Sequence, residues 1–258
     1  MEGNSLKKSF KAYAVQFETV AGKFERNYSR FLTFLNLCEK GSLVVIPEVF
    51  LTGFYYEDIE SAARFSERVV SELLEFSKGL ELTLVYTVVE KINNKFFNSV
   101  QVIDKGKLLL SRPKIKLFAP MDEDKYFVAG SEKDLKLVET SIGVIAPLIC
   151  FELRFSEIFL ELLKSGAEIF TVSAQWGKAR KEHWKVLTSA RAIETQRFLV
   201  ASNGIGEMAG NSIIVDPWGR VLSSAGESEG IISGRIDLSV IKQVERKLPM
   251  GRFTTVAK

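Results

Sequence analysis

Three side chains in this sequence have the type and setting that acyl-transfer chemistry requires. Cys150 ends the apolar run Val144 to Ile149 and is followed at once by Phe151-Glu152-Leu153-Arg154, which reads as the opening of a helix. A strand-to-helix elbow exposes such a side chain. The unpaired N–H groups of a first helical turn lower a thiol pKa and hydrogen-bond a developing oxyanion. The competing reading is a buried structural thiol, because cysteine is among the most buried residue types. Leu43 to Pro47 runs a second apolar strand straight into Glu48. A carboxylate there lies where open α/β sheets place their ligands, and partial burial would raise its pKa toward that of a general base. The plainer alternative is a surface Glu at a strand end. Lys114 and Lys116 flank Ile115 behind the stiffening Pro113. Either ammonium could stabilise the charge of a tetrahedral intermediate, or both could simply be solvated. Glu123, in a charged stretch nearby, is a candidate second carboxylate for the same site.

Other chemistries fit less well. Two cysteines, Cys38 and Cys150, and one histidine, His183, are too few for a disulfide framework or a zinc site of ordinary spacing. His183 is the sole candidate for a Cys–His pair of the papain sort. Gly204 to Gly210 superficially suggests a dinucleotide loop, but its spacing is wrong and a strand follows it. No metal or cofactor is expected. Lys plus Arg number 35 against 32 Asp plus Glu, a net charge of +3 spread along the chain, so no nucleic-acid surface is implied. Met1 to Lys11 lacks the apolar run of a signal peptide, and no later stretch would span a bilayer. A reducing, cytoplasmic setting is expected.

The elements that must position these residues follow from periodicity. Lys11–Phe17 and Ser42–Ile46 read as strands, the second apolar throughout as if buried on both faces, with a helix between them over Asn27–Lys40. A helix over Ile59–Lys78 precedes a meander of strands at Leu82–Val89, Phe96–Ile103 and Lys107–Leu110, joined at Asn93-Asn94 and Lys105-Gly106. Arg112 to Gly130 is aperiodic and long for a connection, hence a candidate functional loop. Strands at Asp134–Glu139 and Ile142–Ile149, a helix at Phe155–Lys164, a strand at Glu168–Ser173 and a helix at Glu182–Thr195 come next. Further strands follow at Phe198–Ala201, Ser212–Val215, Arg220–Ser223 and Ile231–Ile236, and a last helix begins near Leu238, capped by Asp237 or Ser239. Strands and helices alternate, yet hairpins intervene, so the sheets must be mixed. Two stacked sheets with helices outside accommodate the strand count, in one domain over residues 1–258.

Three segments together resemble the carbon–nitrogen hydrolase (nitrilase) superfamily. Pro47-Glu48, with Gly53 five residues beyond the Glu, matches that family's glutamate segment. Pro113-Lys114-Ile115-Lys116-Leu117-Phe118 matches its lysine segment, and Ile149-Cys150-Phe151-Glu152-Leu153-Arg154-Phe155-Ser156-Glu157 its cysteine segment. The similarity continues through Gln175-Trp176, His183-Trp184, Ala190 to Glu194, Gly210-Asn211-Ser212 and Asp216 to Gly219, almost the whole chain. Three motifs in order make coincidence improbable. Lys116, Pro113 and Ser156 depart from the family's His, Arg and Pro, and none of these removes a triad member.

The resemblance implies a four-layer α-β-β-α sandwich and gives the catalytic role to Lys114 rather than Lys116. It implies Cys150 as nucleophile, Glu48 as base, Glu123 as an additional site glutamate and a structural role for His183. An oxyanion would then rest on Lys114 and the backbone N–H of Phe151. The ω-amidase-like branch is most similar. It cleaves the terminal amide of small dicarboxylic acid monoamides, so Arg154 and Lys116 are expected to meet a substrate carboxylate, with Trp176 lining the site. Arg154 alternatively serves as a structural ion-pair partner. N-carbamoyl amidohydrolase, nitrilase and a catalytically silent binding protein on the same fold are the alternatives. The family further implies a homodimer or larger homo-oligomer, to which the tail Arg252-Phe253-Thr254-Thr255 could contribute.

Overall fold

The structure, a computed structural model, describes residues 9–250. The opening is β1 (Ser9–Gln16), α1 (Phe24–Leu35) and β2 (Leu43–Val45), followed by α2 (Ile59–Leu80) and a meander of β3 (Thr83–Ile92), β4 (Lys95–Asp104) and β5 (Lys107–Pro113). The second half runs α3 (Glu123–Tyr126), β6 (Val138–Thr140), β7 (Gly143–Ile149), α4 (Ser156–Lys164), β8 (Ile169–Ala174) and α5 (Lys181–Thr195). It closes with β9 (Phe198–Asn203), β10 (Ile213–Val215), β11 (Val221–Ser224), β12 (Gly230–Asp237) and α6 (Ser239–Lys247).

Two six-stranded sheets result, ordered β12-β1-β2-β3-β4-β5 and β11-β10-β9-β8-β7-β6. Each has a parallel centre, β1-β2-β3 in one and β7-β8-β9 in the other, and antiparallel flanks. The parallel centres are apolar on both faces because each lies between the opposite sheet and a helix layer. On the outer face of the first sheet, Tyr28 and Phe31 of α1 and Val69 and Leu73 of α2 pack on Val44, Leu84 and Ile103. Between the sheets, Ala14, Val45, Val85 and Val100 share a core with β7, β8 and β9. On the far side Phe159 of α4 packs on Phe170 of β8, with ring centroids 4.9 Å apart. The layers are therefore α-β-β-α, as the resemblance implied.

Hairpin chemistry acts where the sequence placed it. Asn93 and Asn94 both have positive φ, 48° and 60°, as the two-residue turn between β3 and β4 requires. Elsewhere the boundaries differ from expectation. The aperiodic segment begins later, since Arg112 and Pro113 complete β5, and it contains a 3₁₀ turn at Ala119–Met121 and the short α3. The strand expected at Asp134–Glu139 shrinks to Val138–Thr140, because Ser131 and Asp134 form a capping box that turns Glu132–Asp134 into a 3₁₀ turn. The helix expected over Asn27–Lys40 stops at Leu35, and the last helix has Leu238 at its N-cap position, with Asp237 Oδ1 accepting from Ser239 N–H. Among the described residues, no helix is long and apolar enough to cross a membrane. The tail at Arg252–Thr255 lies outside the described residues.

Candidate active site

Glu48 follows β2 of the first sheet and Cys150 follows β7 of the second, and the sandwich brings these strand ends together. The Glu48 N–H donates to the Ala174 carbonyl at the end of β8, joining one sheet to the other at 3.3 Å. Both turns carry backbone strain. Val49 has φ 40° and Cys150 has φ 41°, a region that β-branched and most other L-residues avoid. Val49 is held there by its N–H donating to Thr87 Oγ1 at 2.6 Å.

The charged groups form one buried chain. Lys114 Nζ donates to Glu48 Oε1 at 2.7 Å and to Glu123 Oε1 at 2.6 Å, and all three side chains are at most 1% exposed. Glu48 Oε1 also accepts from Asn98 Nδ2 at 2.8 Å, and Oε2 accepts the Gln175 N–H at 3.1 Å. Gln175 Nε2 donates to the Glu48 carbonyl at 3.1 Å. That approach needs Gly204, where a Cβ would meet Gln175 Oε1 at 2.1 Å. The glycine that hinted at a dinucleotide loop is thus a packing requirement. Glu123 Oε2 accepts the Phe118 N–H at 2.7 Å, so α3 and the turn before it close over the lysine.

Burial sets the protonation states. Burial alone would lower the Lys114 pKa, but Glu48 and Glu123 outweigh it and raise it, so the ammonium stays charged. Burial and the nearby Glu48 charge push the Glu123 carboxyl up to about 7 against the pull of Lys114. Burial, reinforced by Glu48, pushes the Cys150 thiol well above its ordinary value. This corrects the expectation of a helix-activated thiolate. The residues after Cys150 form a 3₁₀ turn over Cys150–Arg154, the α-helix starts only at Ser156, and desolvation of a buried thiol outweighs the few dipoles of that turn.

The raised Glu123 pKa has a thermodynamic consequence. A carboxyl whose folded pKa exceeds its unfolded value near 4.3 stabilises the fold most when protonated, below that value. Its contribution is lost as pH rises toward about 7. Denaturant titrations of the parent and Glu123→Gln should show a shallower decline over that window for the variant. Parallel curves would contradict the raised pKa.

A narrow cleft opens onto Cys150, Glu48, Lys114 and Glu123, walled by Phe54, Phe118, Met121, Phe151, Gln175, Trp176, Arg154 and Arg180. Of the expected substrate-binding residues, Arg154 and Trp176 line this cleft and Lys116 does not. Lys116 Nζ lies 5.1 Å from the Phe155 ring centroid and 3.7 Å from Glu132, away from the cleft. Arg154 stacks over Trp176 at 4.7 Å and contacts His183 Nδ1 at 3.0 Å. His183 therefore pairs with an arginine and is not among the cleft-lining residues.

Three participants escaped the sequence reading. Arg180 stacks over Phe118 at 4.7 Å across the cleft mouth, and nothing in its local sequence marks it. Asn98 stands in β4 beside Ser99 and near Gln101, and nothing in its local sequence sets it apart from these other buried polar residues. The third is Arg112. Both of its guanidinium ends meet Glu152 at 2.8 Å, a fully buried pair that ties the lysine segment to the cysteine turn.

This fold and this convergence of a thiol, two carboxylates and a lysine define a class of hydrolase. The carbon–nitrogen hydrolase family model matches residues 11–246, and the chain belongs to that family, whose members hydrolyse C–N bonds. It is 34% identical over 249 residues to the 2-oxoglutaramate amidase of Bacillus subtilis (strain 168), covering 92% of this chain and 94% of that one. It is 33% identical to the deaminated glutathione amidase of Bos taurus over 81% of this chain and 70% of that one. Among solved structures, Saccharomyces cerevisiae Nit3, a member of branch 10 of the nitrilase superfamily, superposes with a TM-score of 0.85 at 24% identity over 95% of this chain and 96% of that chain. An amidase mutant from Nesterenkonia sp. AN1, with the acetamide moiety of fluoroacetamide covalently added at its active-site cysteine, gives 0.81 at 19% identity over 93% of this chain and 96% of that chain.

Proposed function

We propose that this enzyme is an ω-amidase, hydrolysing the terminal amide of a small dicarboxylic acid monoamide through a thioester on Cys150. The observation that carries the reading is the pairing of the buried Glu48–Lys114–Glu123 chain with two cleft arginines. Among the described residues, neither Arg154 nor Arg180 has a carboxylate in ion-pair contact, and they face the same cleft as the thiol. Desolvation and mutual repulsion lower the Arg154 pKa, the strain that an incoming carboxylate would relieve. The name of the Bacillus relative points to the same substrate class.

In this mechanism the thiol, protonated at rest, passes its proton to Glu48 as sulfur attacks the amide carbon. The oxyanion rests on Lys114 and the Phe151 backbone N–H. The C–N bond breaks, ammonia leaves with the proton that Glu48 returns, and a thioester remains. Water, deprotonated by Glu48, then attacks the thioester, and collapse of the second tetrahedral intermediate releases the carboxylic acid and restores the thiol. Glu123 holds Lys114 in place throughout.

The test is selectivity. Acidic monoamides should be turned over in preference to neutral amides of equal length. Arg154→Ala and Arg180→Ala should each lower kcat/KM for acidic substrates by about 10- to 100-fold, the worth of a charge-assisted hydrogen bond. Turnover of neutral amides should be little changed. Equal turnover of both substrate types by the parent enzyme would refute the assignment.

A further inference from the structure

Asn98 is a fully buried polar side chain, followed in β4 by two more buried polar residues, Ser99 and Gln101. It touches two members of the site at once. Its Nδ2 donates to Glu48 Oε1 at 2.8 Å, and its backbone carbonyl accepts the Lys114 N–H at 2.7 Å. The orientation of the amide is fixed, because turning it over would set Oδ1 against a carboxylate oxygen. Yet Oδ1 is buried with no hydrogen-bond partner among the described residues. An unpaired buried carbonyl is unfavourable, and such a violation is expected where function requires the rest of the side chain.

The two Glu48 oxygens are unequally occupied. Oε1 receives Lys114 Nζ and Asn98 Nδ2, which fills both of its acceptor positions. Among the described residues Oε2 receives only the Gln175 N–H, at 3.1 Å, which leaves it the less occupied oxygen. We propose that Asn98 is a positioning residue: with Lys114 it saturates Oε1 and fixes the carboxylate so that Oε2 alone takes the Cys150 proton. This rests on the reading of Glu48 as the base. The ionisable groups around that carboxylate are Lys114 from the segment after β5, Glu123 from α3, Cys150 from the turn after β7 and Tyr56 from the segment before α2.

Asn98→Leu keeps the branched side-chain shape and removes the donor. It should lower kcat about 10²-fold, the scale of a misplaced catalytic group, with KM and melting temperature nearly unchanged. Asn98→Asp is the second probe. At alkaline pH its carboxylate faces Glu48, whereas on acidification the two share a proton and a donor to Oε1 returns. The ratio of variant to parent kcat/KM should therefore rise as pH falls, whereas a purely structural role predicts a flat ratio. Glu48→Gln is assayed beside both. If it keeps parental activity, the base reading fails and takes the proposal with it. If Glu48→Gln is inactive while a folded Asn98→Leu stays within about threefold of the parent, or its loss lies in KM alone, the positioning role is overturned and the base reading stands. Should Asn98→Leu not fold, the pH course of Asn98→Asp decides.

Discussion

Cys150→Ala should lower amide turnover by about 10⁴- to 10⁶-fold without unfolding the protein. The magnitude follows from the nucleophile acting as part of a unit, since losing one member of such a set forfeits nearly all of the covalent route. The substitution removes one sulfur from a residue that is 7% exposed and lies at the edge of a cleft, so packing losses are small. Ala also tolerates the positive φ of 41° no worse than Cys does. The readout has two parts: steady-state ammonia release, and intact-protein mass after mixing with substrate. The parent should show an added acyl mass that the variant lacks. Because burial and Glu48 hold the thiol protonated, alkylation of the parent by a neutral haloacetamide should be slow near neutral pH and accelerate as pH rises. Turnover by the variant at a tenth of the parental rate or more would remove Cys150 from the mechanism.

The second large effect concerns stability. Arg112→Met should destabilise the protein by about 3–5 kcal/mol, because it strands a buried carboxylate. Glu152 is 0% exposed, and each of its oxygens accepts one guanidinium bond and one backbone bond, from Ile115 N–H and Ile149 N–H, all at 2.8 Å. Arg112 also donates to the Pro113 and Pro147 carbonyls. The pair thus fastens the segment carrying Lys114 to the turn carrying Cys150. For a chain of this size the loss corresponds to a melting temperature lower by roughly 10 °C.

The pH course distinguishes the pair from ordinary packing. Burial pushes the Glu152 carboxyl upward, but Arg112 and the two backbone donors outweigh it and hold it below its usual value. Its stabilisation is therefore present above the unfolded carboxylate value near 4.3 and is lost as pH falls through the depressed folded value. The gap between parent and Arg112→Met should be widest at neutral pH and narrow in acid. A loss under about 1 kcal/mol, typical of an exposed ion pair, would sink the argument. The double substitution Arg112→Met, Glu152→Leu should recover part of the stability, since removing both charges avoids the stranded one. It should not recover activity, because the Ile115 and Ile149 amides lose their common acceptor.

Local sequence carried much of this molecule. Glu48 and Cys150 could be singled out because each ends an apolar run, a pattern that places a polar group at the rim of a buried strand. Lys114 could be separated from Lys116 only through the family's segment, since composition around the two is alike. The β-α-β opening, the hairpins at Asn93-Asn94 and Lys105-Gly106 and the mixed character of the sheets all follow from short-range periodicity and turn chemistry. What the chain could not disclose locally is what arises between distant segments. Asn98 and Glu48 are 50 residues apart and meet only once β2, β3 and β4 have assembled in the first sheet, whereas Arg112 and Glu152, 40 apart, meet only once the two sheets have stacked. The thiol pKa belongs to the same category. A strand-to-helix elbow reads locally as an activating site, but the sign of the shift depends on how much water the finished fold excludes. Burial is a property of the packed sandwich, so the tertiary structure decided that the Cys150 thiol pKa is shifted upward, and it set Arg180 rather than Lys116 at the cleft.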